Sequence, residues 1–288
     1  MKKTNFIAAL ALLLGLGAAA YGDGKGSADF IRYATEGDTG LQIAVTDFVS
    51  SNSKTTVTLY GVVHVADVDY YKLVQTDLDK YDAVLYEGVK AGVNPNPETK
   101  ILNTMQHLMG DVLDLKFQKD GIDYTRKNLV HADINMDDLQ KSMKGESITP
   151  FGGYIKTEQL EYLKPFLDIG SKLLKEYMKS DPVLQNRLKA QLAQQLGSVD
   201  INTQLSPDMH KAIVLDRNAI VIDVLKDQLQ KFPEKHSYSI FYGAAHMPDM
   251  QERLQKLGYK ESSKRWMTAW KVKPIADAPE EGDNGEDK

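Results

Sequence analysis

The 288-residue chain contains no cysteine. That absence excludes disulfides, thiolate metal sites, a cysteine nucleophile and a lipid anchor of the lipoprotein type. Positive charge is not in excess either: 35 Lys and Arg face 40 Asp and Glu, a net charge of −5. Electrostatic binding of nucleic acid needs a basic stripe, so nucleic acid is not expected as a partner. The longest apolar run, Phe6–Ala20, falls short of the roughly 20 residues of a membrane span. There is no P-loop, no dinucleotide glycine fingerprint, no H-E-x-x-H helix and no G-x-S-x-G elbow. Wholesale disorder is excluded too, because 42% of the residues are hydrophobic and only 26% charged.

What is present begins with an export signal. Met1-Lys2-Lys3 is basic, Phe6–Ala20 is apolar, and Ala18-Ala19-Ala20 offers small residues for cleavage. Residues 1–22 are expected to be a signal peptide, with an uncleaved N-terminal anchor as the alternative. The expected destination is the periplasm or the exterior, with no membrane span left after cleavage. Residues 274–288 combine proline, glycine and a run of acids (Glu280, Glu281, Asp283, Glu286, Asp287) and read as a disordered acidic tail.

Between these ends, residues 23–273 read as a single α/β domain. Strands are expected at Leu41–Val49, Thr55–Val65, Asp82–Val89, Asn128–Ile134, Ser237–His246 and Trp266–Val272. Leu59–Val63 is almost continuously apolar, as a strand buried on both faces of a parallel sheet would be. Helices are expected at Asp69–Lys80, Lys100–Lys119, Asp137–Met143, Ser206–Lys231 and Asp249–Leu257, with Gly92–Pro97 as a loop. The pattern predicts a mixed, largely parallel sheet flanked by helices, with a helical insertion or cap at about 140–200.

One short pattern occurs twice. Tyr60-Gly61-Val62-Val63-His64-Val65-Ala66-Asp67 and Tyr242-Gly243-Ala244-Ala245-His246-Met247-Pro248-Asp249 share Tyr, Gly, His and Asp at identical offsets. Each copy ends a strand and starts a helix. The glycine permits close approach of a ligand or backbone. The aspartate reads as the N-cap of the next helix, and Asp249 with Glu252 has capping-box spacing.

The strand–helix–strand order from Thr55 to Val89 makes those two strands parallel, so His64 and Glu87 share the carboxyl edge of the sheet. His246 ends its strand in the same way, and Asp133 ends another. Ligands of open α/β sheets bind at that edge. Two His and one carboxylate form a standard shell for a catalytic divalent metal. Glu87 could equally be a general base or a carboxylate that orients a ligating His. His131, two residues before Asp133 on the same face, is a more distant ligand candidate. Arg217 has apolar neighbours at helical spacing (Ile213, Val214, Ile220, Val221) and should face inward. It then needs a carboxylate partner, Asp133 or Glu87, or an anionic group on a substrate.

The two G-x-x-H strands, the strand-end Glu in Val84-Leu85-Tyr86-Glu87-Gly88 and the late Asp216-Arg217-Asn218 together resemble the TraB/GumN (Tiki-like) superfamily. So does the closing stretch, Gly258-Tyr259 followed by Trp266-Met267-Thr268-Ala269-Trp270. The resemblance spans about 40–272. Relatives often carry Glu-Arg-Asn where this chain has Asp216-Arg217-Asn218. The family is regarded as metal-dependent peptidases, some acting on extracellular signalling peptides or proteins. The resemblance implies a metal or catalytic centre of His64, Glu87 and His246, with Arg217 as part of the site.

The expected function is therefore a metal-dependent hydrolase of the cell envelope, a peptidase acting on a peptide or protein. It would hold Zn, Mn or Co on His64, Glu87 and His246, with Glu87, Arg217 and Asp133 as the candidate catalytic residues. The alternative is a non-catalytic envelope protein that sequesters a peptide or a metal-containing cofactor such as haem.

Overall fold

The computed structural model describes residues 29–50, 54–92, 97–144, 157–198 and 205–274. The expected signal peptide, residues 93–96 of the expected loop and residues 275–288 of the expected tail lie outside them. No helix among the described residues is long and apolar enough to cross a membrane.

Strand β2 (Gly40–Ser50) organises the sheet. One of its edges pairs antiparallel with β9 (Tyr259–Lys271), and the other with β1 (Ile31–Ala34) and then β3 (Thr56–Val62). From β3 the sheet continues in parallel through β8 (Ser237–Gly243), β5 (Ala83–Tyr86) and β7 (Leu129–His131). The fold is α/β around this mixed sheet. Two short strands, β4 (Val65–Ala66) and β6 (Lys116–Phe117), pair separately.

The parallel strands are apolar on both faces. Val57 and Leu59 of β3, Ala83 and Leu85 of β5, and Tyr238, Ile240 and Tyr242 of β8 meet one helical layer, made by α8 (Asp216–Lys231) and α9 (Met247–Lys256). Tyr60, Val62, Val84 and Phe241 meet the other, made by α1 (Val68–Leu78), α2 (Pro97–Leu113) and α6 (Pro182–Gly197). Hydrophobicity alone does not set the register of such strands, since a one-residue slip exchanges one apolar face for another. Shape does. A Cβ at Gly61 would lie 2.9 Å from Ile43 Cγ2 and 3.2 Å from the Ala44 carbonyl oxygen, so only glycine fits against β2 there.

The remaining helices are α3 (Gln118–Gly121), α4 (Met136–Ser142), α5 (Thr157–Ser180) and α7 (Pro207–His210), with a π turn at Lys211–Leu215 running into α8. In the expected insertion, α5 and α6 follow one another, and α6 joins the layer of α1 and α2. Ala190, Leu192, Ala193 and Leu196 are buried with Ile31 and Leu41. Lys189 Nζ reaches Asp67 Oδ1 at 2.6 Å.

Several boundaries differ from the sequence expectation. The helix expected to run to Lys119 stops at Leu113. Asp114 takes a left-handed φ of 54°, and Leu115 N–H closes back on the Gly110 carbonyl at 2.7 Å. β9 starts at Tyr259 rather than Trp266, because its first half is a charged, exposed edge without apolar alternation. Asp67 does stand at the N-cap of α1, but its carboxylate binds Lys189 and the Lys271 N–H instead of capping. Asp249 is not a cap. A 3₁₀ turn at Ala244–His246 runs directly into α9, His246 takes the N-cap position, and Asp249 lies inside the first turn.

Candidate active site at the carboxyl edge of the sheet

Strand order assembles the site. β8 enters between β3 and β5, so His246 arrives between the ends that carry His64 and Glu87. Glu87 follows β5 directly, and its N–H donates to the Phe241 carbonyl of β8 at 3.0 Å. Asp133 lies two residues past β7. From the layer it forms with α9, α8 brings Arg217 and Asn218 to the same edge, both buried.

Arg217 is held by both candidate partners at once. Its Nε and Nη2 donate to Asp133 Oδ1 and Oδ2 at 2.9 and 2.6 Å, and Nη2 also donates to Glu87 Oε1 at 2.7 Å. The Asp133 side chain is 0% exposed. It accepts further bonds from the N–H groups of Gly88 and Ile134 at 2.9 and 2.7 Å. Two carboxyl groups thus converge on the one guanidinium. Burial works against the Arg217 charge, but Asp133 and Glu87 hold its pKa far above the usual range. Only Nη1 is loosely engaged, 3.4 Å from the Ile213 carbonyl and 3.5 Å from His246 Nε2.

Glu87 is an ionised carboxylate. Burial alone would raise its pKa; Arg217, then His246 and His64, and the Gly243 N–H hold it at about 2. That N–H reaches Oε2 at 2.7 Å.

His246 is neutral, and its tautomer follows from its neighbours. Asn218 Nδ2 donates to the His246 carbonyl at 3.1 Å and to Asp249 Oδ2 at 2.8 Å. Both are acceptors only, so the amide oxygen must face His246 Nδ1, 2.7 Å away. Nδ1 therefore carries the proton and Nε2 presents a lone pair, 3.9 Å from Glu87 Oε1. Burial pushes the His246 pKa down to about 4, with Arg217 adding to the fall and Glu87 opposing it.

His64 is half-buried. Its carbonyl accepts the Gln118 N–H at 2.7 Å, but among the described residues no hydrogen bond holds its ring. Burial lowers its pKa, Glu87 raises it, and Lys119 and Arg217 lower it further, so it too is neutral near pH 7. His131 turns elsewhere: its Nε2 lies 2.6 Å from the Gly88 carbonyl oxygen. It serves the β5–β7 loop geometry and does not join the cluster.

Ligands around one divalent ion at about 2.0–2.2 Å stand no more than roughly 4.3 Å apart. The His246 Nε2–Glu87 Oε1 pair meets that limit. Among the described residues, no three His, Asp or Glu side chains are grouped to hold an ion. The donor chemistry nonetheless fits: two neutral imidazoles and one ionised carboxylate, with Asn218 orienting the ring of one imidazole from behind.

No protein-family model matches the chain, and no curated protein or solved structure does.

Sequence reasoning placed four of these side chains at one edge but missed the parts that orient them. Asn218 had a signal in its place beside Arg217, and Arg253 had one in its spacing of four from Asp249. Gly243 N–H, a backbone donor, had none beyond the repeated glycine.

Proposed function

We propose that the protein is a metal-dependent hydrolase of the cell envelope that cleaves peptide bonds on a TraB/GumN-like scaffold. One observation carries this reading: a neutral, tautomer-fixed His246 presents Nε2 to the ionised Glu87 carboxylate beside a tethered guanidinium. In this reading His64, Glu87 and His246 hold the ion, which is Zn, Mn or Co. Such an ion supplies Lewis acidity, acidifying water and polarising a carbonyl. The chain's own residues do the rest. Glu87, kept ionised by Arg217 and the Gly243 N–H, would be a third ligand or the base that takes a proton from water. Arg217 offers its loosely engaged Nη1 to negative charge developing on the substrate carbonyl oxygen. Asp133, enclosed by N–H donors, is a positioning residue that locks the guanidinium plane. Export would deliver this centre to peptide or protein substrates outside the cytoplasm.

The test is metal content and thermal stability of the purified protein against a His64→Ala/His246→Ala double variant. The wild type is expected to take up about one equivalent of Zn, Mn or Co and to melt higher with added ion. Binding at 100 times Kd stabilises by about 2.7 kcal/mol. The folded double variant should show neither effect. Equal metal uptake by both proteins would refute the ligand assignment. No uptake by the wild type would refute the hydrolase reading and favour non-catalytic binding of a peptide or a metal-containing cofactor.

A further inference from the structure

Arg253 stands in α9, outside the residues that make the centre, with its side chain 27% exposed. Its guanidinium binds in two directions. Nε donates to Asp249 Oδ2 at 2.5 Å, and Nη2 donates to the Leu215 carbonyl oxygen at 3.1 Å. The first contact leads to the His246 imidazole, because Asp249 Oδ2 also accepts from Asn218 Nδ2, and Asn218 Oδ1 faces His246 Nδ1. The second leads to the guanidinium. Leu215 is the last residue of the π turn, two residues before Arg217. A π turn interrupts the regular i→i−4 ladder, and the Arg253 donor on its final carbonyl ties α9 to the start of α8.

We infer that Arg253, acting through Asp249, is a positioning residue for the centre: one fork holds both the tautomer of His246 and the turn that aims Arg217. The tautomer depends on which way the Asn218 amide points. Two acceptors, the His246 carbonyl and Asp249, keep its NH₂ turned away from Nδ1. Asp249 in turn is held in place by Arg253. With Asp249 released, one acceptor remains, and a turned amide would offer N–H to Nδ1. The ring proton would then move to Nε2 and point at Arg217 and Glu87, closing the position that a metal needs. Lysine cannot replace the fork, since an ammonium on a single stem does not span Asp249 and Leu215 together.

The functional consequence rests on the metal-hydrolase reading, but the tautomer does not, so the two are tested apart. Imidazole ¹⁵N NMR of the metal-free protein at neutral pH reads which His246 nitrogen carries the proton. The wild type is expected to show the Nδ1–H form alone, and Arg253→Met and Asp249→Leu to show both forms. Zn²⁺ affinity, measured by competition with a chromophoric chelator, is expected to fall about 10- to 100-fold in both variants, the usual effect of losing an outer-sphere partner. Two variants are used so that a folding failure in one leaves the other decisive. A His246 ring that stays wholly Nδ1–H in the folded variants overturns the inference. If the wild type binds no Zn²⁺ yet the variants still mix the tautomers, the hydrolase reading fails and the positioning role stands.

Discussion

Removing the Arg217 guanidinium should be among the most damaging single changes the protein can suffer. Arg217→Met keeps the stem and deletes the charge, leaving Glu87 and Asp133 buried without a counter-cation. Breaking a buried ion pair from one side costs about 3–5 kcal/mol, because the surviving charge has lost both water and partner. In a domain of this size each kcal/mol moves Tm by roughly 2–4 °C, so a fall of roughly 6–20 °C is expected at pH 7. The same argument fixes the pH dependence. In the wild type Glu87 has a pKa of about 2 and stays ionised throughout the range from pH 5 to 8. Removing Arg217 takes away the largest of the causes that hold it down, and the pKa should rise toward the pH range of the test. Lowering the pH from 7 to 5 then lets the variant neutralise a carboxylate, and the gap to wild type should narrow. Adding Glu87→Gln, which keeps an acceptor for the Gly243 N–H, should restore part of the loss. Urea unfolding of wild type, both single variants and the double variant at pH 7 and pH 5 measures all of this. A cost below about 1 kcal/mol, a gap that does not narrow at pH 5, or a double variant no better than Arg217→Met would each refute the account.

Three further outcomes follow from the geometry. His246 has a folded pKa of about 4 against an ordinary 6.5, so between those values the unfolded chain takes up a proton that the folded chain refuses. Stability should therefore fall by up to about 3 kcal/mol as pH drops from 6.5 to 4, and urea midpoints across that window should flatten in His246→Gln. Asn218→Leu removes the acceptor of His246 Nδ1 and the donor to the His246 carbonyl, and should cost about 1–3 kcal/mol for each buried group left without a partner, read by chemical denaturation. Gly197→Ala would place a Cβ 2.3 Å from Tyr33 N and 2.7 Å from the Arg32 carbonyl carbon, against backbone that cannot yield cheaply. It should destabilise by about 1–3 kcal/mol and make α6 more sensitive to limited proteolysis.

The sequence carried the local part of this protein. Apolar spacing located most of the strands and helices, and the repeated Gly-x-x-His put two histidines at strand ends. The run of apolar neighbours turned Arg217 inward, and the need of a buried guanidinium for carboxylates named both of its partners. The periodicities and the repeat rest on residues within a few positions of one another, and the two distant partners were named from the strand ends they finish. What failed was local in appearance and non-local in cause. Asp249 has the spacing of a cap, yet it binds Asn218 and Arg253. The first half of β9 shows no apolar alternation because its partner is the single strand β2 at an edge.

Only the tertiary structure decided that β8 lies between β3 and β5, and that order brings His246 within 3.9 Å of Glu87. It also decided that Arg217 is shared by two carboxylates rather than left for a substrate alone, and that Asn218 fixes which imidazole nitrogen is bare. The physical reason is range. Helix and strand periodicities are written in neighbouring residues, whereas strand order and the burial that sets charge and tautomer depend on segments distant in the chain.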